Sequence, residues 1–294
     1  MSEIRIDALL PAEMATRAEY VGVRKAEMPA LRMFMLAVLA GGFIAMGAIF
    51  ATTVSAGSIP VTDPTGTAAF TAALPYGIVR MLSGLVFSLG LILVVVGGAE
   101  LFTGNNLIVM AWASGKVSAR GLLRNWVIVY LGNFVGSIGT AVLVFLSRQY
   151  TFGGNAIGIA ALRTAVAKCE LGFLQAIALG VLCNALVCMA IWLTFSARST
   201  IDKILAIVFP IAAFVAAGFE HSVANMYFIP YGLLVKDFDP AFIGKISAQV
   251  PHLESLTWDA FLLHNLLPVT IGNIIGGAVL VAAVYWAIFL RKER

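Results

Sequence analysis

The sequence predicts an all-α membrane protein whose six transmembrane helices form two inverted three-helix repeats with broken second and fifth helices. Hydrophobic residues make up 61% of the 294 residues, charged residues make up 12%, and the mean hydropathy is +0.96. Soluble domains carry about 25% charged residues, so this composition indicates a polytopic membrane protein. The apolar segments are also interrupted twice by one polar pattern, which is typical of discontinuous helices that meet near the bilayer midplane.

The interrupting pattern is G-x-E-x4-N. Residues 98–105 read GAELFTGN and residues 218–225 read GFEHSVAN. Each copy places a carboxylate, Glu100 or Glu220, inside a segment that otherwise could cross a membrane. Because a charge at that depth is costly to bury, such a residue is a candidate functional residue.

A second pattern follows each break in the same order. Residues 125–136 and residues 265–276 both fit N-x6-G-N-x2-G. Two patterns repeated in one order predict a duplicated fold with its pathway at the two breaks.

The chain divides accordingly into an N-terminal segment 1–30, a first repeat 31–147, a second repeat 148–290 and a tail 291–294. The N-terminal segment fits a short amphipathic helix at the membrane surface, although its first few residues equally fit a loosely ordered polar tail. The predicted spans are 31–54, 76–112, 126–146, 172–195, 204–234 and 263–290. The second and fifth exceed the roughly 20 residues of one span, and the breaks account for the excess. We interpret 55–73, 114–124, 148–170 and 236–260 as connecting loops.

Most of the 19 lysine and arginine residues fall in the termini and in the loops on the same side as the termini. The positive-inside rule therefore predicts that both termini are cytoplasmic. The basic residues form no cluster that would bind nucleic acid. The three cysteines lack metal-ligand spacing, so no metal site is expected, and no cofactor is predicted. No cleavable signal peptide is visible in the first thirty residues, which lack a short apolar core.

His221 is the histidine predicted to lie at membrane depth, beside Glu220 in the second break. Since histidine titrates near neutral pH, it could hold an anion, pass it a proton, or both. The alternative is a core histidine bonded to a backbone carbonyl. For Glu100 and Glu220 we favour a structural role, in which the carboxylates accept hydrogen bonds from backbone N–H groups freed by the breaks.

Other residues near the breaks are candidates by position. Asn105, Asn225, Asn133 and Asn273 are expected to cap helix ends and to tie the breaks to neighbouring helices. Bulky apolar residues on the flanking spans fit either packing or a constriction that strips water from a permeant: Phe87, Leu91, Phe102 and Phe214. Two half-helices starting at the breaks would point the positive ends of their dipoles at the centre, and with Lys168 near an entrance this favours a small anion.

Three segments resemble the formate–nitrite transporter family. They are AELFTGN at 99–105, GFEHSVANM at 218–226 and IGNIIGG at 271–277. The resemblance extends from about residue 5 to residue 292. The Asp202-Lys203 loop and the Tyr285-Trp286 ending resemble the formate-channel branch in particular.

This resemblance implies an aquaporin-like fold, assembled as a homopentamer with one pore in each protomer, in the bacterial inner membrane. It implies a cytoplasmic-side constriction of Phe87, Leu91 and Phe214 and a periplasmic-side constriction of Leu101 and Phe102. It also implies that Thr103 faces His221, that Lys168 draws anions into the vestibule, and that Asn184 and Asn225 are polar pore residues. The chain departs from the formate channels at Gly104-Asn105, where they carry Ser-Thr.

We therefore expect a channel for formate and similar small monovalent anions, among them nitrite, hydrosulfide and acetate, with protons as a second permeant. A pore for water or glycerol is the first alternative, but the paired Asn-Pro-Ala loops of such pores are missing. A membrane enzyme using Glu220 and His221 is the second, but no H-E-x-x-H zinc motif is present and no catalytic residue is predicted.

Overall fold

The computed structural model describes residues 8–62 and 68–291. For the strand residues 59–62 and 68–72 it describes the backbone only. Its elements are α1 (Pro11–Ala26), α2 (Ala30–Ser55), β1 (Ile59–Thr62), β2 (Ala68–Ala72), α3 (Tyr76–Gly97), α4 (Val109–Ala113), α5 (Ala119–Leu146), α6 (Ala156–Cys169), α7 (Phe173–Phe195), α8 (Thr200–Ala217), α9 (Ser222–Phe238), α10 (Pro240–Ile246) and α11 (Ala260–Phe289). In the part of the chain that the structure describes, six of these helices are long and apolar enough to cross a membrane: α2, α3, α5, α7, α8 and α11. The predicted multi-pass helical architecture is confirmed, and α11 contains two π-helical segments, Ala260–Leu266 at its start and Ile275–Ala283 in its second half.

Both predicted helix breaks are present, and each begins at a glycine. Gly98 ends α3 and Gly218 ends α8, both with a φ of 77°. This left-handed conformation suits glycine, which has no Cβ to clash with the preceding turn. After the first break the chain resumes as a 3₁₀ turn, Gly104–Ile108, and the short α4, whereas after the second it resumes directly as the 17-residue α9.

The helices that support the breaks pack with their backbones almost in contact. A Cβ on Gly136 of α5 would lie 1.9 Å from the carbonyl oxygen of Val38 in α2. A Cβ on Gly276 of α11 would lie 2.1 Å from the carbonyl oxygen of Val181 in α7. Small residues permit such crossings within a membrane. The glycine-marked helices α5 and α11 therefore play the same packing role in the two halves.

Three connections differ from their predicted form. Residues 148–170 contain the helix α6, residues 236–260 contain α10 together with two 3₁₀ turns, and residues 55–73 contain the antiparallel hairpin β1–β2. The charges of Lys168 and Glu170 favoured a loop in the sequence, but α6 buries an apolar face made of Ile157, Ala161, Leu162 and Ala165. Burial of that face in the fold stabilises the helix.

The N-terminal helix also differs from its predicted location. α1 packs against the protein, with Met14, Ala15 and Ala18 buried. Gly22 of α1 lies against Ala111 of α4, close to the first break. α1 is therefore part of the wall of the first break. The expectations for residues 1–7 and 292–294 fall outside the described residues.

Candidate functional site

Two cavities flank the meeting point of the two breaks. The first, which we name the α1-side cavity, has a volume of about 250 Å³. The second, the Lys168-side cavity, has a volume of about 410 Å³. Residues of the first break that line the α1-side cavity include Glu100, Leu101 and Asn105. Residues of the second break that line the Lys168-side cavity include Glu220, His221 and Asn225.

Thr103 and His221 meet between the breaks, as the sequence resemblance predicted. Nε2 of His221 lies 2.9 Å from Oγ1 of Thr103, and both residues are buried. Nδ1 of His221 accepts a 3.1 Å hydrogen bond from the backbone N–H of Ala224, in the first turn of α9. Because a backbone N–H can only donate, Nδ1 carries no proton here, and the neutral ring donates its Nε2–H to Thr103. His221 is thus the N-cap of α9, and it is not bonded to a backbone carbonyl.

An aromatic plug covers His221 on the Lys168 side. The ring of Phe214 stacks on the imidazole with centroids 5.9 Å apart, and the ring of Phe87 meets Phe214 edge-on at 5.7 Å. Both phenylalanines line the Lys168-side cavity. His221 lines the same cavity, so these two rings lie beside the imidazole within it.

The sides assigned to the two constrictions in the sequence were wrong. Phe87 and Phe214 were expected on the side of the N-terminus, but they share a cavity with Lys168, whereas Leu101 lies in the cavity with α1. The reason is that α3 and α8 both end at the breaks, and only the folded packing of α3 against α8 decides which cavity their last turns face. Leu91 is buried and lines neither cavity.

Phe102 packs away from both cavities. Its ring contacts Tyr130 and Trp126 of α5, with centroid distances of 4.9 Å and 6.1 Å. The indole Nε1 of Trp126 also donates to the backbone oxygen of Asn105 at 3.1 Å. Phe102 therefore anchors the first break to α5, and the structure gives it a packing position in place of the predicted constriction.

A hydrogen-bonded network of a lysine, a glutamate and two asparagines lines the first break. Nζ of Lys25 donates to Oε1 of Glu100 at 2.7 Å and to Oδ1 of Asn105 at 2.9 Å. Nδ2 of Asn105 donates to Oε2 of Glu100 at 2.7 Å and to Oδ1 of Asn125 at 2.9 Å. The network joins α1 and α5 to the break.

The second break carries the same network built from different parts of the chain. Nζ of Lys168 donates to Oε1 of Glu220 at 2.7 Å. Nδ2 of Asn225 donates to Oε2 of Glu220 at 2.6 Å and to Oδ1 of Asn265 at 2.7 Å. One difference separates the copies: the buried Oδ1 of Asn225 has no partner among the described residues, whereas Oδ1 of Asn105 accepts from Lys25.

The freed backbone groups of the breaks are held by asparagines. Oδ1 of Asn133 accepts from the N–H of Phe102 and its Nδ2 donates to the carbonyl of Glu100, both at 2.9 Å. Asn273 does the same with Ser222 and Glu220 at 2.9 Å. The prediction that asparagines hold the breaks is confirmed for Asn133 and Asn273, whereas the side chains of Asn105 and Asn225 bind the glutamate carboxylates. The prediction that the glutamate carboxylates accept the backbone N–H groups is wrong, because those carboxylates bind lysine and asparagine side chains. An ionised carboxylate can only accept, whereas the amide of Asn133 or Asn273 can bind a backbone N–H and a carbonyl together.

Asn184, predicted to be a pore residue, lies behind the pathway. Its Nδ2 donates to the carbonyl of Thr103 at 3.3 Å and to the carbonyl of Asn273 at 2.6 Å, and it lines neither cavity. Asn184 therefore positions Thr103. Asn225, in contrast, lines the Lys168-side cavity.

Sequence reasoning missed Lys25 as a site residue. Lys25 and Lys168 are separated along the chain by the same interval as Leu36 and Leu179, an equivalence that only the structure reveals. The carbonyls of these two leucines bind the backbone N–H groups of Glu100 and Glu220 respectively. α1 and α6 therefore supply equivalent lysines to the two breaks.

Comparisons with known proteins agree with this geometry. A family model described as formate/nitrite transporter matches residues 12–287. The chain is 44% identical over 288 residues to the formate channel FocA of Escherichia coli K12, covering 98% of this chain and 96% of that protein. A solved structure described as a pentameric formate channel with formate bound aligns with a TM-score of 0.79 and 43% identity, over 89% of this chain and 98% of that one. A second, described as an FNT family ion channel, aligns with a TM-score of 0.72 and 27% identity, over 94% of this chain and 98% of that one.

Proposed function

The chain belongs to the formate/nitrite transporter family, and on this premise we propose that it is a membrane channel for formate and related small monovalent anions. The observation that carries the proposal is the 2.9 Å contact between Thr103 and His221, which joins the two breaks between two cavities. Each cavity is lined by one lysine whose ammonium group binds the glutamate of a break. Lys25 binds Glu100 in the first, and Lys168 binds Glu220 in the second. The site thus offers a route, with donors at its centre, that fits a small acceptor such as formate.

The electrostatics at the centre favour an anion. α9 begins at Ser222 beside His221, and a helix start acts like roughly half a positive charge. Thr103 Oγ1–H and His221 Nε2–H are donors that a carboxylate oxygen can reach once their mutual bond opens. These donors replace part of the water that formate loses as it passes the rings of Phe87 and Phe214.

The geometry also sets a condition for proton transfer. A bare anion in an apolar neck is expensive, so protonation to formic acid would ease its passage. A neutral imidazole that gave up its Nε2 proton would become anionic, so His221 first has to gain a proton at Nδ1. Since Nδ1 accepts from Ala224, that protonation breaks the cap of α9. In this mechanism, proton donation by His221 is coupled to a loosening of the first turn of α9.

We infer that the protein works as a homopentamer in the bacterial inner membrane, with one pathway in each protomer and both termini in the cytoplasm. The pentameric formate channel that resembles it over 89% of this chain supports that assembly. Leu131, Val135 and Leu143 of α5 expose large apolar side chains in the single chain, as a lipid or protomer contact requires. The duplicated networks support two inverted repeats of aquaporin-like form, and the concentration of lysine and arginine near the termini supports their cytoplasmic side.

Planar-bilayer recordings of the purified protein test the proposal, with formate, nitrite, hydrosulfide, acetate and chloride supplied in turn. We expect formate to carry a current well above that of chloride. The same preparation in proteoliposomes should swell no faster than empty vesicles in a glycerol gradient. Glycerol-driven swelling without formate current would instead identify a neutral-solute pore.

A further inference from the structure

Arg80 of α3 lies at the carbonyl end of α8. Its Nη2 donates to the carbonyl of Val215, and its Nε donates to the carbonyl of Ala216 at 3.3 Å. Both carbonyls belong to the last turn of α8, immediately before the second break at Gly218. The carbonyl of Val215 also accepts from the N–H of Gly218, so Arg80 adds to the hydrogen bonds of the last carbonyls of α8.

The end of α8 would otherwise oppose an anion. The carboxyl end of a helix carries roughly half a negative charge, which acts mainly over the last turn. Val215, Gly218 and Phe219 from this end line the Lys168-side cavity. Without Arg80, an anion that entered the cavity would therefore meet these carbonyl oxygens close to the plug of Phe87 and Phe214.

Among the residues that the structure describes, no side-chain carboxylate that lines this cavity neutralises the positive charge of Arg80. The charged side chains that line it are Arg80, Arg163, Lys168 and Glu220. Lys168 is paired with Glu220 at 2.7 Å, with side-chain exposures of 14% and 7%, so the pair contributes little net charge. Arg163 is exposed and donates to the carbonyl of Gln249. Within the described ranges 8–62 and 68–291, Arg80 is paired with no carboxylate.

Arg80 also lies on the face of α3 that leads to the plug. Arg80, Ser83 and Phe87 follow i, i+3, i+7 spacing and all line the cavity. A positive charge at Arg80 is thus placed along the approach to Phe87.

We propose that Arg80 determines the anion preference of the Lys168-side cavity, by covering the carbonyl end of α8 and by supplying the uncompensated positive charge before the plug. This inference rests on the proposed anion-channel function. Arg80 would contribute to selectivity where Lys168 cannot, because the charge of Lys168 is neutralised as long as it is paired with Glu220.

The test compares Arg80→Gln, Arg80→Lys and the control Arg163→Gln in planar bilayers. Reversal potentials in a sodium formate gradient give the formate-to-sodium permeability ratio, at about 0.1 M and about 1 M salt, where the Debye length is about 10 Å and 3 Å. Arg80→Gln should lower formate conductance about ten-fold, roughly the effect of one unit charge acting over about 12 Å at an effective dielectric constant of about 20, and should lower the permeability ratio at both salt concentrations. Arg80→Lys should restore most of both. Arg163→Gln should have a small effect that disappears at about 1 M salt, because its side chain is exposed.

The possible outcomes distinguish a failure of this inference from a failure of the proposed channel function. A wild-type protein without formate current contradicts both. A wild-type protein that conducts formate, with Arg80→Gln retaining its conductance and permeability ratio, overturns the role of Arg80 alone. Size-exclusion chromatography checks that Arg80→Gln and Arg80→Lys form the same oligomer. If Arg80→Lys restores assembly but not the permeability ratio, charge at this position does not set the selectivity and the inference fails.

Discussion

At the residue scale, the polar side chains at the two breaks have three separate roles. Asn133 and Asn273 hold the backbone, Glu100 and Glu220 hold lysines, and Thr103 and His221 are the residues that we propose for the permeant. This division explains how a carboxylate can be buried at each break, because each one is fully engaged by a lysine and an amide. It also predicts that changes at these residues have separable effects.

The first residue-scale prediction concerns Glu220→Gln. The substitution keeps the shape but leaves Lys168 without its carboxylate in a setting where the lysine side chain is 14% exposed. We expect lower thermal stability of the detergent-solubilised oligomer, by about 1–3 kcal/mol for the lost charged bond. Glu254→Gln, at a side chain that is 81% exposed, is the control and should leave stability unchanged. Normal yields of stable oligomer with lost anion selectivity would contradict the structural role of Glu220.

The second concerns the aromatic plug. Phe214→Ala and Phe87→Ala should increase the flux of acetate and lactate relative to formate, because these rings narrow the cavity beside His221. Phe102→Ala is the matched control. Its ring packs on Tyr130, so it should cost stability, about 3–5 kcal/mol for a buried Phe, without widening the route. Unchanged acetate and lactate flux in both plug variants, measured in proteoliposomes, would show that the constriction lies elsewhere.

At the element scale, α1 and α6 do equivalent work although the sequence shows only one of them as a helix candidate. α1 delivers Lys25 to the first break, and α6 delivers Lys168 to the second. The backbone carbonyl of each lysine also accepts from an asparagine, Asn125 or Asn265. α1 therefore belongs structurally to the first half of the fold, although it is not one of the six described helices long and apolar enough to cross a membrane.

A test of this equivalence is Lys25→Met, which removes both of the ammonium bonds. We expect α1 to lose hydrogen-exchange protection selectively, since Glu100 and Asn105 then lose their contact with it. Lys116→Met is the comparison, because Lys116 also pairs with α1, through Glu19, but is 57% exposed and should matter less. Equal protection of α1 in Lys25→Met and the wild type would show that apolar packing alone holds the helix.

The junction of α9 and α10 gives a pH-dependent prediction. The hydroxyl of Tyr150, the backbone N–H of Phe242 and the guanidinium of Arg148 surround Asp239 and hold the pKa of its carboxyl below its usual range. A lowered folded-state pKa stabilises the fold above the unfolded value, and this contribution is lost as pH falls below about 4. The hydrogen-exchange protection factors of α10, corrected for the intrinsic exchange rate at each pH, should fall over that range in the wild type, and Asp239→Asn should remove this pH dependence. An identical acid response in both proteins would contradict the role of Asp239.

Sequence reasoning was reliable where the signal is local. The spans are predicted by hydropathy, and the breaks by a glycine followed by a glutamate and an asparagine. Both signals lie within one short segment of the chain. The cavity faced by Phe87 and the partner of Glu100 were not readable, because they depend on how α3 meets α8 and on where α1 docks. α6 was missed since two charges at its end outweighed an apolar face that only tertiary packing reveals.

At the scale of the whole molecule, the candidate site exists only where the two halves meet. Thr103 comes from the first break and His221 from the second, and Asn184 and Asn273 link the two around them. A lysine paired with a glutamate lies on each side of this contact. The central claim is therefore that formate passes between Thr103 and His221 and that His221 couples this passage to protons.

Radiolabelled formate flux into proteoliposomes, across about pH 5 to 8 where histidine changes charge, tests that claim most directly. The proteins compared are the wild type, His221→Asn and His221→Phe. We predict pH-dependent flux in the wild type, pH-insensitive formate conduction in His221→Asn, which can hydrogen-bond but cannot titrate, and no uptake at low external pH in His221→Phe. A His221→Asn protein that keeps the wild-type pH profile and its coupling to proton flow would show that His221 only caps α9, and the proposed proton step would be wrong.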